Sequence, residues 1–205
     1  LGYDTLKIKI GDDPQKDVER VRAIHDALDK NIKLRLDANQ GWTAKESVIL
    51  LHALEKQNII AEFIEQPVAA DDFEGLKYIK ERVQTPLLAD ESIFSVKDAR
   101  KLLEMQAIDY VNIKLAKTAG ISQALKLADL SKEFGVKCMT GCMLEGPISV
   151  AAGVHVASAK ADIITMLDLD AVSLLESHPV DTSIIFNESE IVLSDAVGLG
   201  VNYEG

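Results

Sequence analysis

Three acidic residues stand at matching places in a recurring pattern: Asp37 in LDANQGW, Glu65 in IEQP and Asp90 in ADES. Each closes a short apolar run, so each is expected at a strand end. Taken singly, any of them reads as a helix N-cap or a solvent-facing loop acid. In three consecutive units they would repel one another unless positive charge sat among them. A hard cation such as Mg²⁺ suits an all-oxygen set and keeps positions open for water or substrate. Lys7 and Lys9, in LKIKIG, share one strand face because the side-chain period is two. Two inward ammonium groups disfavour each other's charged form, one route to an amine that takes up a proton near neutral pH. On an exposed edge strand the pair would be ordinary solvated surface, but strands of a parallel barrel are covered on both faces. Lys114, in NIKL, stands at the end of another strand pattern. Asp168 and Asp170, in MLDLDA, lie two apart at the end of another run and can face the same way, an arrangement suited to an ammonium group.

The elements that must position these residues alternate. Strand patterns cover residues 5–10, 33–38, 62–66, 87–91, 110–115, 137–141 and 163–169. Helix patterns cover roughly 14–29, 43–57, 72–82, 95–106, 119–134 and 146–159. Asp12 or Asp13 followed by Pro14 is a helix start, and Val18, Val21, Ile24 and Leu28 form its apolar stripe. Thr43 and Ser95 are further N-cap candidates. Strands returning through helices must be parallel. Lys9, Asp37, Glu65, Asp90 and Lys114 recur at intervals of 28, 28, 25 and 24 residues. That rhythm sets a polar residue at successive strand ends, the face on which a (β/α) barrel builds its active site. A doubly wound sheet would be expected to carry a glycine-rich phosphate turn, and neither GxGxxG nor GxxxxGK[ST] occurs. Seven strands is one short of eight, and the chain opens at Leu1 within a strand pattern, so it is read as a fragment of a longer chain. Residues 1–205 form one barrel domain in this reading, with 171–205 an irregular tail and a hairpin around 184–193.

The formal net charge of −11 with no basic stripe argues against nucleic acid as a partner. No apolar run is long enough to span a membrane. Cys138 and Cys142 are too few for a disulfide framework and lack partners for a zinc site, so they read as free thiols of a cytoplasmic protein.

Lys-x-Lys, then Asp, Glu and Asp on three successive strands, then Lys on the next, resembles the muconate-lactonizing-enzyme subgroup of the enolase superfamily, whose base-plus-metal pattern is a known one. The resemblance covers nearly the whole chain. It implies a modified (β/α)7β barrel that lacks the N-terminal capping domain and the first barrel strand. It implies one Mg²⁺ per active site on Asp37, Glu65 and Asp90, with Lys9 and Lys114 as the acid/base pair on opposite sides of one carbon. Lys7 would tune Lys9 and help hold the substrate carboxylate. Asp168-Leu-Asp170 matches the motif with which dipeptide epimerases of this subgroup grip a free α-amino group. Met143 and Glu145, in CMLE, resemble a pocket-lining segment of the same enzymes. The expected function is therefore Mg²⁺-dependent epimerisation at the α-carbon of the C-terminal residue of a dipeptide. The alternatives are a cycloisomerase, an o-succinylbenzoate synthase or an N-acylamino acid racemase on the same scaffold, or a metal-binding barrel without catalysis. Expected partners are the dipeptide and the capping domain of the same protein, with room for a homo-oligomer. Trp42 is expected to pack its loop, and His25, His52, His155 and His178 are assigned no chemistry.

Overall fold

A computed structural model describes residues 2–178, 180–187 and 189–203. The strands β1 (Thr5–Lys9), β2 (Lys33–Asp37), β3 (Phe63–Glu65), β4 (Leu87–Ala89), β5 (Tyr110–Ile113), β6 (Lys137–Gly141) and β7 (Ile164–Asp168) alternate with six helices. These are α1 (Pro14–Ala27), α2 (Ala44–Glu55), α3 (Phe73–Lys80), α4 (Val96–Glu104), α5 (Ile121–Glu133) and α6 (Pro147–Ala159). Strand order in the sheet follows chain order from β1 to β7. The pairs β1·β2, β2·β3, β3·β4, β4·β5 and β6·β7 are all parallel. The chain divides into two compact units, one of Tyr3–Val111 and one of the residues from 112 onward together with the extreme N-terminus.

In the first unit β3 and β4 are buried on both faces, while β1 and β2 alternate apolar with charged residues. Leu36, Phe63, Ile64, Leu87 and Leu88 are fully enclosed, and Leu51, Leu76 and Leu102 pack from the helices. Each such side chain contributes roughly 1.5–3 kcal/mol on burial. Helix α4 shows how the sequence achieves this: Ala99, Leu102 and Leu103 are buried while lysine, arginine and glutamate take the outer side. The starts follow capping chemistry. The Asp13 carboxylate accepts from the N–H groups of Gln15 and Lys16 with Pro14 just inside the helix. Thr43 and Glu46 form a reciprocal capping box, and Ser95 accepts from Asp98 N–H. Each cap is worth about 1 kcal/mol.

In the second unit α6 is apolar nearly all round, as a helix covered on several sides must be. Val150 and Val154 pack with Leu169 and Ala171 beyond the end of β7. The tail is more ordered than expected from its sequence. A 3-10 turn, Ala171–Leu174, precedes β8 (Val180–Thr182), β9 (Ile185–Asn187), β10 (Glu190–Val192) and β11 (Val201–Tyr203). The β9–β10 hairpin lies where its pattern places it, but β8 pairs antiparallel with β11. Three-residue strands carry too little periodicity to announce a partner some twenty residues away.

Two strands also stop sooner than their apolar runs. Asp90 follows β4 because its N–H turns to the side-chain oxygen of Gln66 instead of a strand carbonyl. Lys114 follows β5 because its carbonyl accepts from the N–H groups of Lys117 and Thr118, which starts a turn.

Candidate functional site

The strand ends of the first unit are fixed to one another through backbone. Ile10 N–H donates to Asp37 O at 2.8 Å, Ala38 N–H to Glu65 O at 3.1 Å and Gln66 N–H to Leu88 O at 2.9 Å. Register aligns Lys9 with Asp37 and Asp37 with Glu65. The loops beyond touch closely enough to require glycine. A Cβ on Gly41 would lie 2.1 Å from Gly11 O, and one on Gly11, at φ +121°, would lie 2.3 Å from Ala38 O. Buried Gln66 ties in the third acid: its Oε1 accepts from Asp90 N–H at 3.0 Å and Ser92 N–H at 3.1 Å, while Nε2 donates to Val68 O and Ser92 Oγ.

Asp37, Glu65 and Asp90 are thereby held at consecutive strand ends, each no more than 1% exposed. Carboxylates so deeply placed need cationic partners. The Lys9 ammonium donates to Asp37 Oδ2 at 2.5 Å and to Asn39 Oδ1 at 3.0 Å. Lys7 Nζ donates to Glu65 Oε2 at 3.3 Å and stands 3.6 Å from Asp37 Oδ2. Lys7 is mostly enclosed, whereas Lys9 reaches outward with 62% of its side chain exposed. The structure thus brings both lysines onto the acids that the sequence pattern grouped with them. Among the described residues no three acidic, histidine or cysteine side chains are grouped closely enough to cage a metal ion as they stand. The donor chemistry nevertheless fits one: three buried carboxylates form an all-oxygen set of the kind that hard divalent cations take.

In the second unit Lys114 directly follows β5. A Cβ on Gly141, the last residue of β6, would lie 3.2 Å from Lys114 Cε and 2.7 Å from Asn112 Oδ1. Glycine there lets the lysine chain cross the end of β6. Gly141 is in register with Asp168. Alternation then buries Leu169 and turns Asp168 and Asp170 the other way, one half-buried and one exposed. The Asp170 carbonyl accepts from Ser173 N–H and Oγ, while its carboxylate makes no capping bond to the 3-10 turn. The local field is negative. Burial pushes the neighbouring Cys142 thiol up, and after an opposing hydrogen bond from the Ala171 backbone the charges of Asp170, Asp168 and Glu145 push it further.

Met143 is half-exposed, but Glu145 is turned into its own loop, accepting from Met143 N–H at 2.8 Å and from the Ser149 hydroxyl. A cavity of about 930 Å³ lies alongside, lined by Leu115, Leu144, Glu145, Ile148, Ser149 and His178 among others.

Residues 1–204 match the enolase C-terminal domain-like family. The chain belongs to that family. Within it, 48% identity over 201 residues links the chain to an L-Ala-D/L-Glu epimerase of Clostridium acetobutylicum, over 98% of this chain and 56% of the relative. The L-Ala-D/L-Glu epimerase of Bacillus subtilis, solved with bound substrate, superposes with a TM-score of 0.94 at 39% identity, over 98% of this chain and 56% of that one. The dipeptide epimerase of Enterococcus faecalis, solved with Mg and L-Leu-L-Tyr, gives 0.93 at 44% identity, over 99% and 57%. The fold is therefore the (β/α) barrel of the enolase superfamily, and the chain spans little more than half the length of these relatives. No helix of the described residues is long and apolar enough to cross a membrane.

Sequence reasoning passed over several residues of this cluster. Asn39 bonds to Lys9 and, through Nδ2, to Glu91 Oε1 at 3.0 Å. Gln66 holds Asp90, and Gly141 makes room for Lys114. Asn39, Gln66 and Glu91 lie inside the strings that drew attention to the acids, yet amides and a second acid carry no spacing signal of their own. Trp42 is buried, as its loop-packing role requires.

Proposed function

We propose that this barrel is the catalytic part of a Mg²⁺-dependent dipeptide epimerase, moving a proton at the α-carbon of the C-terminal residue. The observation that carries the reading is the Asp168-Leu-Asp170 pair at the end of β7, with both carboxylates clear of the core and Asp170 unspent on capping. A dipeptide presents a carboxylate at one end and an ammonium group at the other. Asp168 and Asp170 suit the ammonium. Asp37, Glu65 and Asp90 would hold the cation, which when bound supplies positive charge beside the substrate carboxylate. Lys7 adds charge for the same carboxylate and neutralises Asp37 and Glu65. Lys9 and Lys114 are the two bases, one removing the α-proton and the other returning a proton to the opposite face. Charge that grows as the proton leaves meets ammonium groups already in place, so binding favours the transition state over the ground state. Met143 borders the substrate, while Glu145 shapes its loop. The relatives named above, epimerases of dipeptides, support this assignment.

The barrel is read as one domain with the sheet-forming tail attached, working beneath a capping domain of the same protein that sets side-chain selectivity. The free thiols Cys138 and Cys142 suit a reducing cytoplasm. The deciding experiment compares a free dipeptide with its N-acetylated form on the full-length protein. With the capping domain closing the site the pair is shielded from water, and loss of one partner from such a pair costs about 3–5 kcal/mol, against roughly 0–1 kcal/mol at an exposed one. The free form should therefore win by a large factor in kcat/KM, and Asp168→Asn or Asp170→Asn should narrow the gap by harming that form alone. Equal rates on the wild type would remove the dipeptide assignment and favour an N-acylamino acid racemase.

A further inference from the structure

Asn39 occupies an unusual place for a residue with no assigned part in the chemistry. Its backbone is left-handed, φ +41°, a conformation that asparagine tolerates better than most side chains. Its N–H donates to Asp37 Oδ1 at 3.1 Å. Its side chain spans two charged groups of opposite sign: Oδ1 accepts from Lys9 Nζ at 3.0 Å, and Nδ2 donates to Glu91 Oε1 at 3.0 Å. The amide cannot be reversed. An ammonium group only donates and a carboxylate only accepts, so the oxygen must face Lys9 and the nitrogen Glu91. Glu91 itself is partly enclosed, and its second oxygen, Oε2, is buried with no hydrogen-bond partner among the described residues. A carboxylate placed at that cost next to Asp90 calls for a use beyond solvation.

We infer that Asn39, oriented by Glu91, is a positioning residue for Lys9: the amide fixes where the Lys9 ammonium sits, and Glu91 fixes the amide. Lys9 has 62% of its side chain exposed, so packing does not hold it. Its hydrogen bonds to Asp37 and Asn39 do. Asp37 attracts Lys9 toward the acid cluster, and Asn39 gives the second direction that turns an attraction into a placed nitrogen. Displacing a reacting atom by about 1 Å can cost on the order of a hundred-fold in rate. The inference rests on the two-base reading above, and it makes a prediction that a merely structural role does not: the effect must be confined to one face of the substrate.

The test measures exchange of the α-hydrogen with solvent deuterium, separately for each epimer, in the full-length enzyme with Mg²⁺. Lys9→Ala first identifies the epimer that Lys9 serves, as the one whose exchange is lost. Asn39→Gly keeps the left-handed backbone and the N–H to Asp37 while deleting the amide. Exchange of that same epimer should fall roughly ten- to a hundred-fold, exchange of the other should stay near wild type, and Mg²⁺ affinity should be unchanged. Glu91→Ala should give the same one-sided loss. Glu91→Gln should largely restore it, because a glutamine oxygen can still accept from Asn39 Nδ2. Equal slowing of both epimers, a drop in metal affinity with Asn39→Gly, or no loss at all would each overturn the role assigned to Asn39. Absence of exchange by the wild type with every dipeptide tried would overturn the parent reading, and this inference with it, a result distinct from the other three.

Discussion

Lys7 shows how much one side chain carries. It is mostly enclosed and stands within 3.6 Å of two carboxylates that have almost no contact with water. Removing a partner from such a group leaves buried charge uncompensated, at a cost of about 3–5 kcal/mol. Lys7→Met should therefore lower the unfolding free energy by that order in metal-free buffer. Mg²⁺ should recover more stability in the variant than in the wild type, because a bound cation stabilises the folded state by mass action and the variant lacks a competing ammonium. Urea unfolding with and without Mg²⁺ measures both quantities. An identical Mg²⁺ increment in the two proteins would sink the idea that lysine and cation serve the same acids. At this scale the sequence was most readable for residues with full charge. Asp37, Glu65, Lys7 and Lys9 could be grouped from spacing because strand ends in a parallel repeat must share a face. Asn39 and Gly141 could not, since their roles depend on contacts with Lys9 and Lys114 that no local pattern encodes.

The elements were legible wherever local chemistry sets them. Asp13, Thr43 and Ser95 cap their helices in the positions their residue types suggest, because a short oxygen-bearing side chain satisfies the open N–H groups of the first turn. Strand ends were not, because a side chain decides where β4 stops. Gln66 uses its whole amide to hold the loop that bears Asp90, with four contacts between 2.7 and 3.1 Å. Gln66→Ala would leave Asp90 N–H and Ser92 N–H without their acceptor, and an unsatisfied buried donor costs about 1–3 kcal/mol. The variant should lose at least that much stability and, since Asp90 N–H no longer has an anchor, should bind Mg²⁺ more weakly. Gln66→Glu, which keeps the accepting oxygen but loses both donors and adds charge, should be no better. Calorimetry and metal titration together check this. Full stability with weakened metal binding would show the loop to be held by other bonds.

For the molecule as a whole, parallel strands followed from strand–helix alternation, and the order β1 to β7 from the polar residue that recurs at successive strand ends with no glycine-rich phosphate turn. The β8·β11 pair escaped because it joins residues 180–182 to 201–203 across a stretch without strong periodicity. Global stability should also reveal a residue that the sequence left as an inert thiol. Cys138, near the start of β6, is fully buried, and burial pushes its thiol up to about 11 despite an opposing hydrogen bond with Ser131. An unfolded chain releases this proton near the usual value of 9.0, while the folded chain keeps it to about 11. The contribution to stability is thus complete below pH 9, declines as pH rises from about 9 to 11, and is gone above that. Two pH units correspond to roughly 2–3 kcal/mol. Tyr110, raised chiefly by burial, works in the same direction from about pH 10, so the wild-type slope alone does not isolate the thiol. The difference between wild type and Cys138→Ala does. Denaturant midpoints measured from pH 8 to 11.5 should show Cys138→Ala less stable at pH 8, from the lost packing, with the gap closing through this window. A gap that stays constant would mean that the Cys138 thiol ionises alike in folded and unfolded chains, and that the core around β6 admits water.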